Sequence, residues 1–139
     1  MYYSRFTPFL GILAILLLLS SCTPKEERAD ELLNRGVEKT AQGKYEEAIK
    51  LYTSAIKLKP DFAKAYTFRG SAKFDLKDYD GAMQDYTTSV EINPYYADPY
   101  DYRGRIKMIY LDVEGACEDF KKAEALGKKG MFEKTKFCP

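Results

Sequence analysis

The chain has 139 residues, room for one domain of ordinary size, and 45% of them are hydrophobic, the range of globular proteins. Lys and Arg number 22 against 21 for Asp and Glu, and Arg5 is the single charged residue before Cys22, so the rest of the chain balances to zero. Such a chain offers no clustered positive charge to nucleic acid or to anionic lipid surfaces. With no His and only three Cys it also lacks the commonest metal ligand and every zinc-cluster spacing, so neither a metal nor another cofactor is expected.

The first element is apolar. Phe9 to Leu19 is an uninterrupted run of 11 residues without charge. Crossing ~30 Å of hydrocarbon takes roughly 20 apolar residues, so the run is too short for a permanent span. With Arg5 before it and Ser20-Ser21 after it, residues 1–21 read as a signal peptide. Leu19-Ser20-Ser21-Cys22 resembles the lipobox of bacterial lipoproteins. That resemblance implies cleavage before Cys22 and lipidation of its thiol and amine by palmitate-like chains. At about 0.8 kcal/mol per buried methylene, two or three chains form an anchor that scarcely dissociates. Residues 22–28 would then be the lipidated Cys and a flexible polar tether containing Pro24. Thr23 is not the Asp that marks inner-membrane retention in enteric lipoproteins, so the resemblance points to an outer-membrane address, facing the periplasm or the cell exterior. Lys25-Glu26-Glu27 resembles a surface-export signal of some lipoproteins, and it equally suits the solvated start of a helix.

Beyond the tether the chain superimposes on itself at a period of 34 residues. Arg35, Arg69 and Arg103 coincide, as do Gly36, Gly70 and Gly104, then Ala48, Ala82 and Ala116, then Tyr52, Tyr86 and Phe120. Within each unit the apolar residues recur at steps of three and four, as in Tyr45, Ala48, Ile49, Tyr52, Ala55 and Ile56, which predicts a helix. Pro60 and Pro94 end two such helices. Asp61 is positioned to cap the next one, and Asp98-Pro99 reads as an N-cap followed by a first-position proline. Small residues at the Gly70 and Ala82 positions let paired helices approach, giving an all-α stack of antiparallel pairs.

This pattern resembles the tetratricopeptide repeat, carried best by Tyr66, Gly70, Ala82, Tyr86 and Pro94 of the middle unit. The resemblance implies a solenoid of three repeats over residues 29–127, divided as 29–62, 63–96 and 97–127, with residues 128–139 as a capping helix and C-terminus. The residue before each Gly is Arg where the family usually has Leu. Asp85 and Asp119 stand within reach of Arg69 and Arg103 across the paired helices, so a structural salt bridge is expected in each of those units. Such a bridge would set helix register at little net gain in stability. The first unit has Leu51 at that place.

In this family the concave face, lined by each first helix, binds protein or peptide partners. Carried onto this sequence, that groove is Asn34 and Val37, then Lys64, Thr67, Phe68 and Ser71, then Asp101, Tyr102 and Arg105. Phe68 and Tyr102 are suited to hold apolar side chains of a bound segment, or to pack on neighbouring helices, while Asn34, Thr67 and Ser71 are suited to bond its backbone. Chaperone-binding members hold a terminal carboxylate with Lys and Asn at places occupied here by Leu33, Val37, Phe68, Asp98 and Tyr102, so that specificity is not expected. No Ser or Cys has a His to activate it, and Asp75, Asp78 and Asp80 fall in a turn, so no enzyme activity is expected. The implied function is a lipid-anchored protein-binding scaffold of the bacterial envelope. The alternative is an assembly factor or pilot lipoprotein for an outer-membrane complex, using its outer faces. Three repeats offer a short surface, which leaves room for self-association.

Cys117 and Cys138 remain as an even pair. Cys117 takes the apolar slot of Ile49 and Met83, and a helix from Gly130 to Cys138 would carry Met131, Thr135 and Cys138 on one face over the end of the third repeat. A disulfide between the two would tie that cap down. Without it Cys117 is a small buried hydrophobe and Cys138 a frayed thiol.

Overall fold

Each apolar stripe of the sequence becomes one helix. A computed structural model describes residues 24–136 and 138. The signal segment, Cys22 and Thr23 lie outside the described residues. The helices are α1 (Lys25–Ala41), α2 (Tyr45–Leu58), α3 (Ala63–Asp75), α4 (Tyr79–Ile92), α5 (Ala97–Ile109), α6 (Val113–Ala125) and the short α7 (Phe132–Thr135). Consecutive helices pack antiparallel as three pairs, and each pair stacks on the one before it. None of the helices among the described residues is long and apolar enough to cross a membrane.

Glycine decides how closely the two helices of a unit approach. A Cβ built on Gly70 would stand 2.8 Å from the Tyr86 ring, and one built on Gly104 2.6 Å from the Phe120 ring, so the aromatic of each second helix lies directly against the glycine of the first. Around these contacts Ala48, Tyr52, Ala82, Tyr86, Ala116 and Phe120 are fully or almost fully buried. Tyr52 and its neighbours also gather Phe62, just before α3, and Ala65 and Ala72 of α3, and Tyr86 gathers Ile106 from α5, so the core runs continuously from unit to unit. The turn within each unit needs one left-handed residue, and the period delivers Gly43 (φ 73°), Lys77 (φ 67°) and Leu111 (φ 62°) to it.

Four local expectations are corrected. Helix α1 starts at Lys25, so the expected tether over residues 22–28 is helical in its second half. Asp61 makes no capping bond; Phe62 is the residue before α3, and burial of its ring in the first core cluster fixes the chain there instead. Asp98 and Pro99 lie inside the first turn of α5, which begins at Ala97 after Tyr96. The caps that do form come from Asp78 and Asp112, whose carboxylates accept the backbone N–H of Gly81 and Gly115 at 3.0 Å. The terminal helix is a single turn, with Met131 just before it and Cys138 beyond it.

Candidate functional site

The first helices α1, α3 and α5 line one face of the stack, and the second helices send side chains through to it. Tyr52 of α2 reaches under Gly36 and its hydroxyl meets Thr40 Oγ1 at 2.9 Å. Tyr86 of α4 does the same under Gly70, its hydroxyl meeting Ser71 Oγ at 3.2 Å. Burial pushes the Tyr86 phenol far up, so it is a neutral hydrogen-bonding group on the groove floor at any physiological pH. Phe68 stacks on Tyr52 with ring centroids 6.0 Å apart, and Tyr102 lies on Tyr86 at 5.5 Å. The groove aromatics therefore do both jobs considered from the sequence: they pack on the floor and keep a half-exposed edge.

A pocket of ≈ 220 Å³ opens between α3 and α5, lined by Ser71, Phe74, Asp75, Tyr86, Tyr102 and Arg105. It combines three aromatic walls with a hydroxyl pair and one charge of each sign, suiting a single side chain of a bound segment. Asn34, Val37 and Lys64 are exposed on the same series of first helices.

Two expected groove residues are not available to a partner. Thr67 is 1% exposed, and its hydroxyl is spent on Ala63 O at 3.1 Å and Ser89 Oγ at 2.8 Å. Asp101 is fully buried; Arg105 grips it through two bonds of 3.2 and 2.9 Å, and Lys134 of α7 reaches it from the C-terminal side. Burial opposes ionisation of Asp101, but the bonds from Arg105 and Lys134 outweigh it and hold its carboxyl below the usual range. Lys128 adds a bond to Asp98 and sits 5.4 Å from the centre of the Tyr102 ring. The C-terminal segment thus closes the third-repeat end of the groove.

The intra-repeat arginines are occupied. Arg69 donates to both Asp85 oxygens at 2.9 and 2.6 Å, and Arg103 to those of Asp119 at 2.8 and 2.6 Å. Each guanidinium is held above its ordinary value, chiefly by that carboxylate. Sequence reasoning missed a third member of each cluster. Lys73 meets Asp85 at 2.9 Å and Lys107 meets Asp119 at 3.0 Å. The signal was present, because Lys39, Lys73 and Lys107 recur at the same period. In the first unit, where Leu51 replaces the Asp, Lys39 pairs with Glu47 at 2.8 Å and Arg35 meets Glu31 of its own helix at 3.9 Å. Cys117 and Cys138 are joined as a disulfide with Cα atoms 5.5 Å apart. Among the described residues no three His, Cys, Asp or Glu side chains converge in a way that would hold a metal ion.

Comparison with known proteins agrees with this geometry. Family models described as TPR repeat and Tetratricopeptide repeat match residues 36–73 and 63–96. The first TPR of Spaghetti (RPAP3), solved with the HSP90 peptide SRMEEVD, is 28% identical with a TM-score of 0.75, over 80% of this chain and 90% of that one. The first TPR domain of human RPAP3 is likewise 28% identical, with a TM-score of 0.75 over 80% of this chain and 89% of that one. The Arabidopsis OM64 TPR domain shares the fold at 24% identity and a TM-score of 0.76, covering 81% of this chain and 93% of that one. No curated protein sequence matches. Residues 36–96 thus match tetratricopeptide-repeat models, and the described residues fold as a TPR-type solenoid.

Proposed function

We propose that this protein is a lipid-anchored adaptor of the bacterial cell envelope that holds a peptide segment of a partner protein in the groove of α1, α3 and α5. The observation that carries the reading is the pair of floor-backed aromatics, Phe68 on Tyr52 and Tyr102 on Tyr86, flanking a pocket with hydroxyl and charged groups. Rings fixed from beneath bind without first losing rotamer freedom. The relative solved with the HSP90 peptide supports peptide capture as the mode. The chemistry of capture differs here, since Leu33, Val37, Phe68, Asp98 and Tyr102 replace the Lys and Asn set that grips a terminal carboxylate in chaperone-binding members. An internal segment with an apolar side chain is the ligand this groove suits. Attachment through Cys22, after signal cleavage and at the outer membrane, rests on the Leu19-Ser20-Ser21-Cys22 resemblance.

Crosslinking and pulldown from native membranes, comparing wild type with the Phe68→Ala, Tyr102→Ala double variant, tests the groove. The partner is expected to be lost while the helical circular dichroism is kept. Retention of the partner would overturn the groove reading and move recognition to the outer faces. Fractionation of Cys22→Ala tests the anchor: the variant is expected in the soluble fraction and unlabelled by palmitate, and an unchanged membrane-bound form would overturn it.

A further inference from the structure

Solvent-exposed apolar side chains are concentrated at one place in the fold, the turn between α5 and α6. Met108, Ile109, Tyr110 and Val113 are each two-fifths to one-half exposed there, and Leu111 is 84% exposed. Leu111 also occupies the left-handed turn position that Gly43 and Lys77 fill in the earlier repeats. A leucine at φ 62° is strained relative to glycine, and its side chain, 84% exposed, gains little burial among the described residues to offset that strain. The turn is nonetheless held in place, because the Tyr110 hydroxyl donates to Asp80 of α4 at 2.6 Å. Behind it a mostly apolar cavity of ≈ 370 Å³ continues the surface between Met108, Val113, Cys117 and Phe120.

The repeat geometry explains why this end is open. The outward face of α2 is covered by the 13 residues of α3, and that of α4 by the 13 residues of α5. Among the described residues the element packed over α6 is α7, four residues long and fastened near Cys117. Among the described residues the outward side of the first turn of α6, with Val113 and Glu114, stays exposed.

We infer that this C-terminal end is the contact surface of a symmetric homodimer, two copies meeting through their α5–α6 turns and open α6 faces. Head-to-tail stacking is excluded by the other end of the solenoid. The residues with which α3 and α5 cover the preceding unit are apolar and largely buried: Phe62, Ala65 and Ala72, then Pro99 and Ile106. At the same repeat positions α1 presents Arg28, Glu31 and Glu38, all exposed, so the α1 of a second copy cannot cover α6. A two-fold interface brings the same patch of both copies together, so an apolar centre with a charge-balanced rim meets itself without repulsion. On the cavity rim Arg105 and Lys134 are paired with Asp101 and Glu133 with Lys136, so the rim is charge-balanced within each copy, and the near-zero net charge sets up no repulsion between copies. A patch of this kind falls in the ~300–600 Å² range that marks interaction sites on monomers. Two of them face to face, with the cavity walls, approach the ~1,200 Å² at which specific interfaces begin. The patch adjoins the groove only through Arg105, which lines both cavities; Leu111 and Val113, the residues changed in the test, line no part of the groove pocket.

The test is the mass of the domain starting at Pro24, which holds every helix and core residue described above, by light scattering and sedimentation from 5 to 500 µM. A monomer–dimer equilibrium is expected in the micromolar range. Leu111→Gly, which relieves the backbone and removes the apolar tip, is expected to weaken the dimer at least tenfold while its melting temperature at low concentration stays the same or rises. Val113→Glu is expected to do the same to the dimer. A monomer throughout the range would overturn the inference, as would a dimer indifferent to both variants or a mass that keeps growing past two copies.

Discussion

Arg69 and Asp85 join the two helices of the middle repeat through parallel bonds of 2.9 and 2.6 Å, and Lys73 closes on the same carboxylate from 2.9 Å. The Asp85 side chain is 4% exposed and the two cations 17% and 19%, so the cluster is largely removed from water. Its Coulombic gain is then offset in large part by desolvation, and the value of the pair lies in fixing the register of α3 on α4.

That account makes the single and double substitutions unequal. Asp85→Leu alone, which strands two partly buried cations, is expected to cost about 2 kcal/mol, less than a fully buried pair because both cations keep some water. Arg69→Leu with Asp85→Leu, which brings in the Leu the first repeat carries as Leu51, is expected to fall within about 1 kcal/mol of wild type. Urea unfolding of the four proteins in the cycle measures both, and a double variant as unstable as the single would refute the argument.

The cap at the other end is held by one covalent bond and two lysines. Cys117 and Cys138 are 21 residues apart, and closing such a loop is worth roughly 3 kcal/mol on chain-entropy grounds. Cys138→Ser is therefore expected to lower stability by about 2–3 kcal/mol under oxidising conditions and to change nothing once the wild type is reduced. Thiol titration of unreduced, denatured protein should find neither of these two Cys free. Two free thiols would remove the staple.

Asp101 should make stability depend on acid. Its carboxyl titrates below its ordinary value because Arg105 and Lys134 outweigh the effect of burial. A depressed carboxylate binds its proton more readily in the unfolded chain, so it contributes stability that is present above the unfolded value of about 4 and disappears as the pH falls through the folded one. The stability gap between wild type and Asp101→Asn is thus expected to be full at pH 7 and to shrink steadily below about pH 4. Denaturant midpoints from pH 7 to 2.5 would show it, and a gap constant with pH would count against the bonding described.

The primary structure alone determined the helical pairs, the 34-residue register and the Arg69–Asp85 and Arg103–Asp119 partnerships, because each depends on contacts inside one repeat that the period presents several times over. It also carried the left-handed series Gly43, Lys77 and Leu111, visible once the turn geometry is known. Only the tertiary structure decided which residues of the first helices face a partner. Thr67 and Asp101 have the right position on their own helices, yet Ser89 takes up the Thr67 hydroxyl from the paired helix of the same repeat, and Lys134 closes over Asp101 from α7, which lies outside the repeats. Helix ends behaved likewise: Phe62 rather than Asp61 sets the start of α3, since burying its ring outweighs one exposed capping bond worth about 1 kcal/mol. The shortness of α7, and with it the open face of α6, had no periodic signal, because a terminal cap occurs once and has no second copy in the chain against which to be read.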